Sequence, residues 1–422
     1  MIEPSTVQPG PTPKLMGRGA YGCVYRPGIS CEGDVKLTDK YITKVQPEND
    51  TTEHERLIGE KVQKIKNYAD YYAPLLSMCE ASLSNVSTQE IEKCDILPLG
   101  ASTYAVSKLR YVGKNTLMKH MLKTYTTRTM GITSNIVESH NILLEGYKRL
   151  NENGIIHFDV KESNIICEDR GGAPVIIDFG LSVEMSKLGM NDYKNVFYTY
   201  GPDYGPWCLD IAMISYGANE LSAESSRPSD EIYLGFRRNE QILTGLDQLV
   251  TNEQLNTVID DFEKKNYAMI ELMSEIQRDK YTKSMKKYYS KYIGKSWRDM
   301  MTELATYANT WDNYGLTVTY LYIIKNLKLS EHNPINAYKT YLEEIVLSLP
   351  FNRPTCDKTM TAVLKLFSNV NRRDKRKQDR QIKDYSMKKG NKEDVRKRVW
   401  GSIQSNLLRD TAMRKPVRRL IA

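Results

Sequence analysis

The sequence predicts an α+β fold: a small β-rich region over residues 15–110, then a larger helical region over 111–370 carrying a helical insertion at about 218–308. Three observations predict it. Up to about Arg110 the apolar residues come in short, often alternating runs broken by Gly and Asp, which is the strand pattern. Beyond Arg110 they recur at helical spacing. From residue 371 to the end, 18 Lys or Arg stand against 6 Asp or Glu, too charged a stretch to bury a core. With 422 residues, 40% apolar and 27% charged, the whole has a soluble globular composition with room for a sizeable core.

The elements follow in order. Residues 1–14, MIEPSTVQPGPTPK, put an acidic residue and four prolines where a secretory signal needs a basic start and an apolar stretch, so a disordered leader is expected. LMGRGAYGCVYRP and KYITKV read as strands, and STYAVSKL as a third. Between the last two, TTEHERLIGEKVQKIKNYADYY sets Leu57, Ile58, Val62 and Ile65 at helical spacing. NIVESHNILLEGYKRLNENG is a helix closed by its terminal Gly. The pair Gly171-Gly172 then marks a turn between the β-like NIIC and VIID. From about Cys208 to Lys328 the chain reads as helical, polar and Tyr-rich. No apolar run is long enough to cross a bilayer, TVTYLYII being closed by Lys325, so membrane insertion is not expected.

Seven cysteines, odd in number, scattered and without CxxC, suggest neither a disulfide framework nor a zinc knuckle. A reducing compartment is expected, hence a cytoplasmic protein. The net charge of +8 is unevenly placed, because residues 1–370 hold 42 basic and 46 acidic residues. The basic tail, residues 371–422, is therefore either a solvated end or a docking arm for nucleic acid or an acidic protein.

Several residues point to chemistry. Gly17, Gly19, Gly22 and Val24 spell G-x-G-x-x-G-x-V, where side-chain-free amides can approach an anion. The motif lies between strands and does not open a helix, which excludes a dinucleotide fingerprint. Lys44 shares a strand face with Ile42, while Thr43 and Val45 take the other. Glu55 precedes Ile58 and Val62 by three and seven residues, so it lies on the apolar side of its helix and needs a cation. Lys44 is the expected partner. Glu60, the rival by its distance from Lys44, has Gln63, Lys64 and Asn67 as helix neighbours and is read as solvent-facing.

His157-Phe158-Asp159-Val160-Lys161-Glu162-Ser163-Asn164 is followed, fourteen residues after the Asn, by Asp178-Phe179-Gly180. With the glycine motif and Lys44, this order resembles the eukaryotic-type protein kinase family, serine/threonine branch, over roughly 15–368. The resemblance implies a bilobal protein-kinase-like fold and ATP-dependent transfer of a phosphoryl group to protein hydroxyls, with Mg²⁺. It implies that Gly17, Gly19, Gly22 and Val24 cover the nucleotide, that Lys44 holds its phosphates and that Glu55 orients Lys44. Lys108 to Tyr111, with Leu109 between, would be the adenine-binding hinge. Asp159 would take the acceptor proton, Lys161 would steady the phosphoryl group, and Asn164 and Asp178 would hold the metal. His157 is expected to be a buried core residue.

Further landmarks come by the same resemblance. Gly201-Pro202-Asp203 looks like the end of the activation segment, with Arg353 as the expected partner of Asp203. Either Asp210 or Asp312 could start the buried helix that braces the catalytic loop, and the pattern around Asp312 fits better. Phe158 stands where many members carry the arginine that receives an activating phosphate, so that switch is expected to be absent. Thr43, before the strand lysine, would put a larger side chain against adenine. The insertion and basic tail resemble kinases of large DNA viruses of eukaryotes, which would place the protein in host cytoplasm or virion. The competing reading is a catalytically weak scaffold or virion component bound to nucleic acid by its tail.

Overall fold

A computed structural model describes residues 12–19, 22–31, 39–46, 50–84, 86–97, 103–127, 132–189, 196–197, 199–221, 246–329 and 333–368. Most of the leader, part of the insertion and the basic tail lie outside these residues. The chain forms two compact units, Met1–Gly113 with Ile177–Gly180, and Lys114–Ile176 with Leu181–Ala422.

The first unit holds β1 (Lys14–Gly19), β2 (Gly22–Arg26), β3 (Tyr41–Gln46), α1 (Asp50–Gln63), β4 (Tyr72–Ala73), β5 (Leu75–Ala81), α2 (Thr88–Glu92) and β6 (Tyr104–Arg110). Its antiparallel sheet has the order β1-β2-β3-β6-β5. Sequence reading missed β5, whose run LLSMCEA holds no β-branched or aromatic residue and does not alternate cleanly. Helix α1 packs on β5 with Ile58 and Val62 fully buried, while Leu57 stays 38% exposed. Gly59 permits that approach, since a Cβ there would lie 2.6 Å from the Leu75 carbonyl oxygen.

Two disulfides, Cys23–Cys94 and Cys31–Cys79, correct the expectation of unbridged cysteines. They join residues 71 and 48 apart in sequence, so no local spacing could reveal them. With them falls the argument from cysteine usage to a reducing compartment. Cys23 and Cys94 sit in an apolar cluster with Tyr25, Val45, Leu97 and Val106. Cys167, Cys208 and Cys356 are buried thiols.

The second unit holds β7 (Asn115–Thr116), α3 (Leu117–Thr127), α4 (Ile132–Glu152), β8 (Ile155–Ile156), β9 (Ile165–Cys167), β10 (Pro174–Ile177) and β11 (Val183–Glu184). Then come α5 (Leu209–Glu220), α6 (Asn252–Lys265), α7 (Glu275–Tyr289), α8 (Trp297–Ala305), α9 (Trp311–Asn326), α10 (Asn333–Val346) and α11 (Cys356–Ser368). Helix α4 stops where expected, with Gly154 at φ 72°. The β9–β10 hairpin turns through Gly171 and Gly172, both at positive φ. Within the expected insertion, α6 and α7 begin with complete capping boxes on Thr251 and Ser274, which satisfy the orphan amides of each first turn.

Helix α9 is buried on every side from Trp311 to Leu321, so it is the central element of this unit. Gly315 lets it lie directly against the loop at Val160: a Cβ there would meet the Val160 Cβ at 2.9 Å. That contact positions the loop. No described helix is long and apolar enough to cross a membrane.

Candidate active site

In the first unit the glycine motif forms the β1–β2 hairpin, with Gly17 opposite Val24 and Gly19 opposite Gly22. Ala20 and Tyr21, at its tip, lie outside the described residues. The glycines differ in what they do. A Cβ on Gly22 would lie 2.5 Å from the Val45 carbonyl oxygen, so this glycine serves strand packing, whereas one on Gly17 would meet nothing within 4 Å.

Val24 pairs with Lys44, and Lys44 with Ser107, so these side chains share one sheet face. Lys44 Nζ lies 2.8 Å from Glu55 Oε2 and 3.7 Å from Asp178 Oδ1. The expected lysine–glutamate pair is therefore formed, and Glu60 instead pairs with Arg56 at the surface. Burial works against the Lys44 ammonium, but Glu55 and Asp178 outweigh it and lift its pKa above the usual lysine value. Glu55 is raised too, by burial first, with Asp178 adding to that and Lys44 opposing it. Asp178 adopts φ 61°, a left-handed conformation that Asp tolerates better than most residues. Its neighbour Phe179 is buried edge-on against Tyr72, with ring centroids 6.1 Å apart.

In the second unit the loop after β8 is held from behind by Asp312. Its Oδ2 accepts from the His157 amide and its Oδ1 from the Phe158 amide, each at 2.9 Å. Asp312 is thus the brace. Burial raises its pKa against the opposing pull of His157 and these amides. His157 is fully buried, as expected of a core histidine.

Asp159, 4% exposed, receives Lys161 Nζ at 2.9 Å and Asn164 Nδ2 at 2.7 Å on the same oxygen, Oδ2. Asn164 Nδ2 also donates to the Asp159 carbonyl at 3.1 Å. The Asn164 amide nitrogen is thus committed to Asp159, and its side-chain oxygen is the atom able to accept. Oδ1 of Asp159 accepts from the Tyr204 hydroxyl, a contact that sequence reading did not foresee.

The expectations for the hinge, for Thr43 and for the partner of Arg353 change. Lys108 and Leu109 lie inside β6, in register with Thr43 and Ile42 of β3 and with Ser77 and Leu75 of β5. A strand with neighbours on both sides has its amides and carbonyls committed to the sheet, so neither residue is hinge backbone. Lys108 also faces away from Lys44, its ammonium lying 4.8 Å from the Tyr41 ring centroid. The Tyr111 amide donates to the Lys40 carbonyl at 2.8 Å, which leaves residues 111–113 as the non-strand connector. Thr43 is fully buried on the opposite face, with its Oγ1 accepting from the Ile29 amide at 3.0 Å, so it does not sit beside Lys44.

Asp203 is exposed, and the partner of Arg353 is Asp210, at 2.9 Å with both side chains buried. Asp210 enters the first turn of α5, which directs it into the core, whereas Asp203 sits in a turn. Phe158, in place of an arginine, is buried against Trp207, Phe197 and Trp311, at centroid distances of 4.9, 5.7 and 6.0 Å.

Among the described residues no three His, Cys, Asp or Glu side chains converge as a metal cage. Asp178 in the first unit and Asn164 in the second each carry a hard oxygen donor of the kind Mg²⁺ takes, an ion that keeps several waters and needs few protein ligands.

The profile of the protein kinase domain family matches residues 12–201. Mitogen-activated protein kinase kinase kinase 15 of Mus musculus is 25% identical over 204 residues, covering 48% of this chain and 13% of that protein. Mitogen-activated protein kinase kinase kinase 5 of Homo sapiens is 25% identical over 203 residues, with the same shares. The chain thus aligns with about an eighth of the length of these relatives.

Proposed function

We propose that the chain, a divergent member of the eukaryotic-type protein kinase family by its match over residues 12–201, transfers the γ-phosphoryl group of ATP to serine and threonine hydroxyls of proteins. The observation that carries this reading is the buried Glu55 carboxylate holding Lys44 at 2.8 Å with Asp178 on the other side, a cation fixed for phosphate oxygens. Gly17 adds an open backbone surface. Mg²⁺, when bound, would be held by Asp178 and Asn164 and would supply charge neutralisation at the phosphates.

Asp159 accepts the proton of the acceptor hydroxyl as its oxygen bonds to the γ-phosphorus, and the bond to the bridging oxygen breaks to release ADP. Lys161, which rests on Asp159 at 2.9 Å, places a positive charge beside the acceptor. Its position two residues after the aspartate supports the serine/threonine assignment. Phe158, packed among aromatic rings, supports activity without an activation-segment phosphate.

The test is a radiolabelled ATP assay on a synthetic serine peptide and a generic basic protein, with and without phosphatase treatment. Wild type should label both substrates and lose nothing to the phosphatase. Asp159→Asn should fall by about 10² to 10⁴-fold, and Asp178→Ala should be inactive while still folded. Labelling by these variants at the wild-type rate would remove the assignment.

A further inference from the structure

The Asp159 carboxylate has two oxygens, and both are engaged. Oδ2 receives Lys161 and Asn164, at 2.9 and 2.7 Å, which leaves Oδ1 as the atom to which an acceptor hydroxyl could donate. The Tyr204 hydroxyl donates to that atom, and Lys161 Nζ lies 3.3 Å from the same hydroxyl. A phenol therefore meets both the proposed base and the lysine beside it.

The placement is built by several elements. The Tyr204 amide donates to the Gly201 carbonyl at 3.2 Å, and the Tyr204 carbonyl accepts from the Trp207 amide at 3.0 Å. Asn266, buried at the end of α6, donates its side-chain amide to the carbonyls of Pro202 and Tyr204, at 3.1 and 3.3 Å. The Tyr204 ring packs edge-on against Trp207, with centroids 5.0 Å apart, and the Trp207 indole donates to the Phe158 carbonyl at 3.0 Å. The phenol is thus anchored to the same loop whose carboxylate it meets.

We propose that Tyr204 is an internal stand-in for the acceptor hydroxyl, one that every protein acceptor must displace from Asp159 before transfer. The proposal rests on the phosphotransfer reading. Tyr204 is a positioning residue: it holds Asp159 and Lys161 together at rest and makes acceptor binding compete with an intramolecular hydrogen bond. Because the phenol meets Asp159 and Lys161, the residues assigned to the acceptor, the competition should act on the acceptor rather than on the nucleotide.

The experiment is steady-state kinetics of wild type and Tyr204→Phe with ATP·Mg²⁺ and the synthetic serine peptide. Phenylalanine keeps the ring on Trp207 and removes only the hydroxyl. The acceptor KM should fall about tenfold, the net worth of one hydrogen bond to a charged group, with the ATP KM moving less than twofold. An acceptor KM that stays or rises overturns the proposal. If neither protein transfers phosphate, the kinase reading fails, and a thermal double-mutant cycle of Tyr204→Phe with Asp159→Ala decides this one. Non-additive melting shifts sustain the contact, and additive shifts refute it.

Discussion

Arg353 and Asp210 have side chains 2% and 1% exposed, with Nη2 2.9 Å from Oδ1. Nη1 lies 3.0 Å from Cys208 Sγ and 3.3 Å from Thr310 Oγ1, and the guanidinium carbon is 5.5 Å from the Tyr314 ring centroid. Arg353→Ala would leave the Asp210 carboxylate in the core with a 3.4 Å bond from the Trp311 indole as its remaining side-chain contact among those described. Breaking a buried pair on one side costs about 3–5 kcal/mol. At roughly 2–4 °C per kcal/mol for a domain of 150–250 residues, the melting temperature should fall by about 6–20 °C. Differential scanning fluorimetry on purified protein measures this directly. Asp210→Leu combined with Arg353→Met should recover most of the loss, because no charge is then stranded. Asp203→Ala, at an exposed turn, should stay within about 0.5 kcal/mol of wild type. A wild-type melting point for Arg353→Ala, or Asp203→Ala as damaging as Asp210→Ala, would refute the assignment.

Burial of His140 pushes its pKa from 6.5 down to about 3, while Nδ1 shares a 2.8 Å hydrogen bond with the Tyr338 hydroxyl. A depressed folded value means that its contribution is complete above pH 6.5 and is lost progressively as pH falls toward 3; at pH 5 about 2 kcal/mol is gone. His140→Phe should therefore melt with a shallower pH dependence between pH 7 and 5 than wild type, and parallel curves would show that His140 is not the source. Gly22→Ala should destabilise by about 1–3 kcal/mol through its overlap with the β3 backbone, judged by urea unfolding. Gly17→Ala should leave stability unchanged and raise the KM for ATP, and the opposite pattern would reverse the two roles. Deleting residues 371–422, which hold 18 basic and 6 acidic residues, should abolish a salt-sensitive binding of DNA and RNA in filter titrations, whereas equal retention by both forms would make the tail a solvated end.

Legibility in the sequence followed the range of each interaction. Glu55 could be placed because helix periodicity is local: its offsets from Ile58 and Val62 fixed its face, and a carboxylate on an apolar face requires a cation. Asp312 could be preferred over Asp210 because Tyr314, Gly315 and Leu316 after it match the aromatic-small-leucine pattern that the resemblance expects. The disulfides, by contrast, depend on which strands become neighbours. The hinge was set too early because β6 gains its last rungs from Tyr41 and Ile42, residues far upstream. Thr43 could be put on the face opposite Lys44 by alternation, yet the resemblance carried it toward the nucleotide, and here alternation was the better guide. Arg353 was given the wrong acid for a similar reason: Gly201-Pro202-Asp203 looks like a known ending, but its carboxylate lies in a turn while Asp210 is directed inward by α5.

Phe158 joins the departures into one physical account. At φ 69° it occupies a conformation that is costly for a bulky residue. Two features offset that cost: the Asp312 carboxylate on its amide at 2.9 Å, and burial of its ring among Trp207, Phe197 and Trp311. An arginine here would bring an uncompensated cation into an aromatic pocket, so the pocket and the loss of the phosphate-receiving charge are one change. Trp207 extends the cluster, touching Phe158 on one side and Tyr204 on the other, at centroid distances of 4.9 and 5.0 Å. Aromatic packing thus fixes Phe197 and Trp207 beside the loop and carries the Tyr204 phenol to Asp159. Under the proposed phosphotransfer reading, control of Asp159 would then rest on a side chain that an acceptor displaces rather than on an added phosphate.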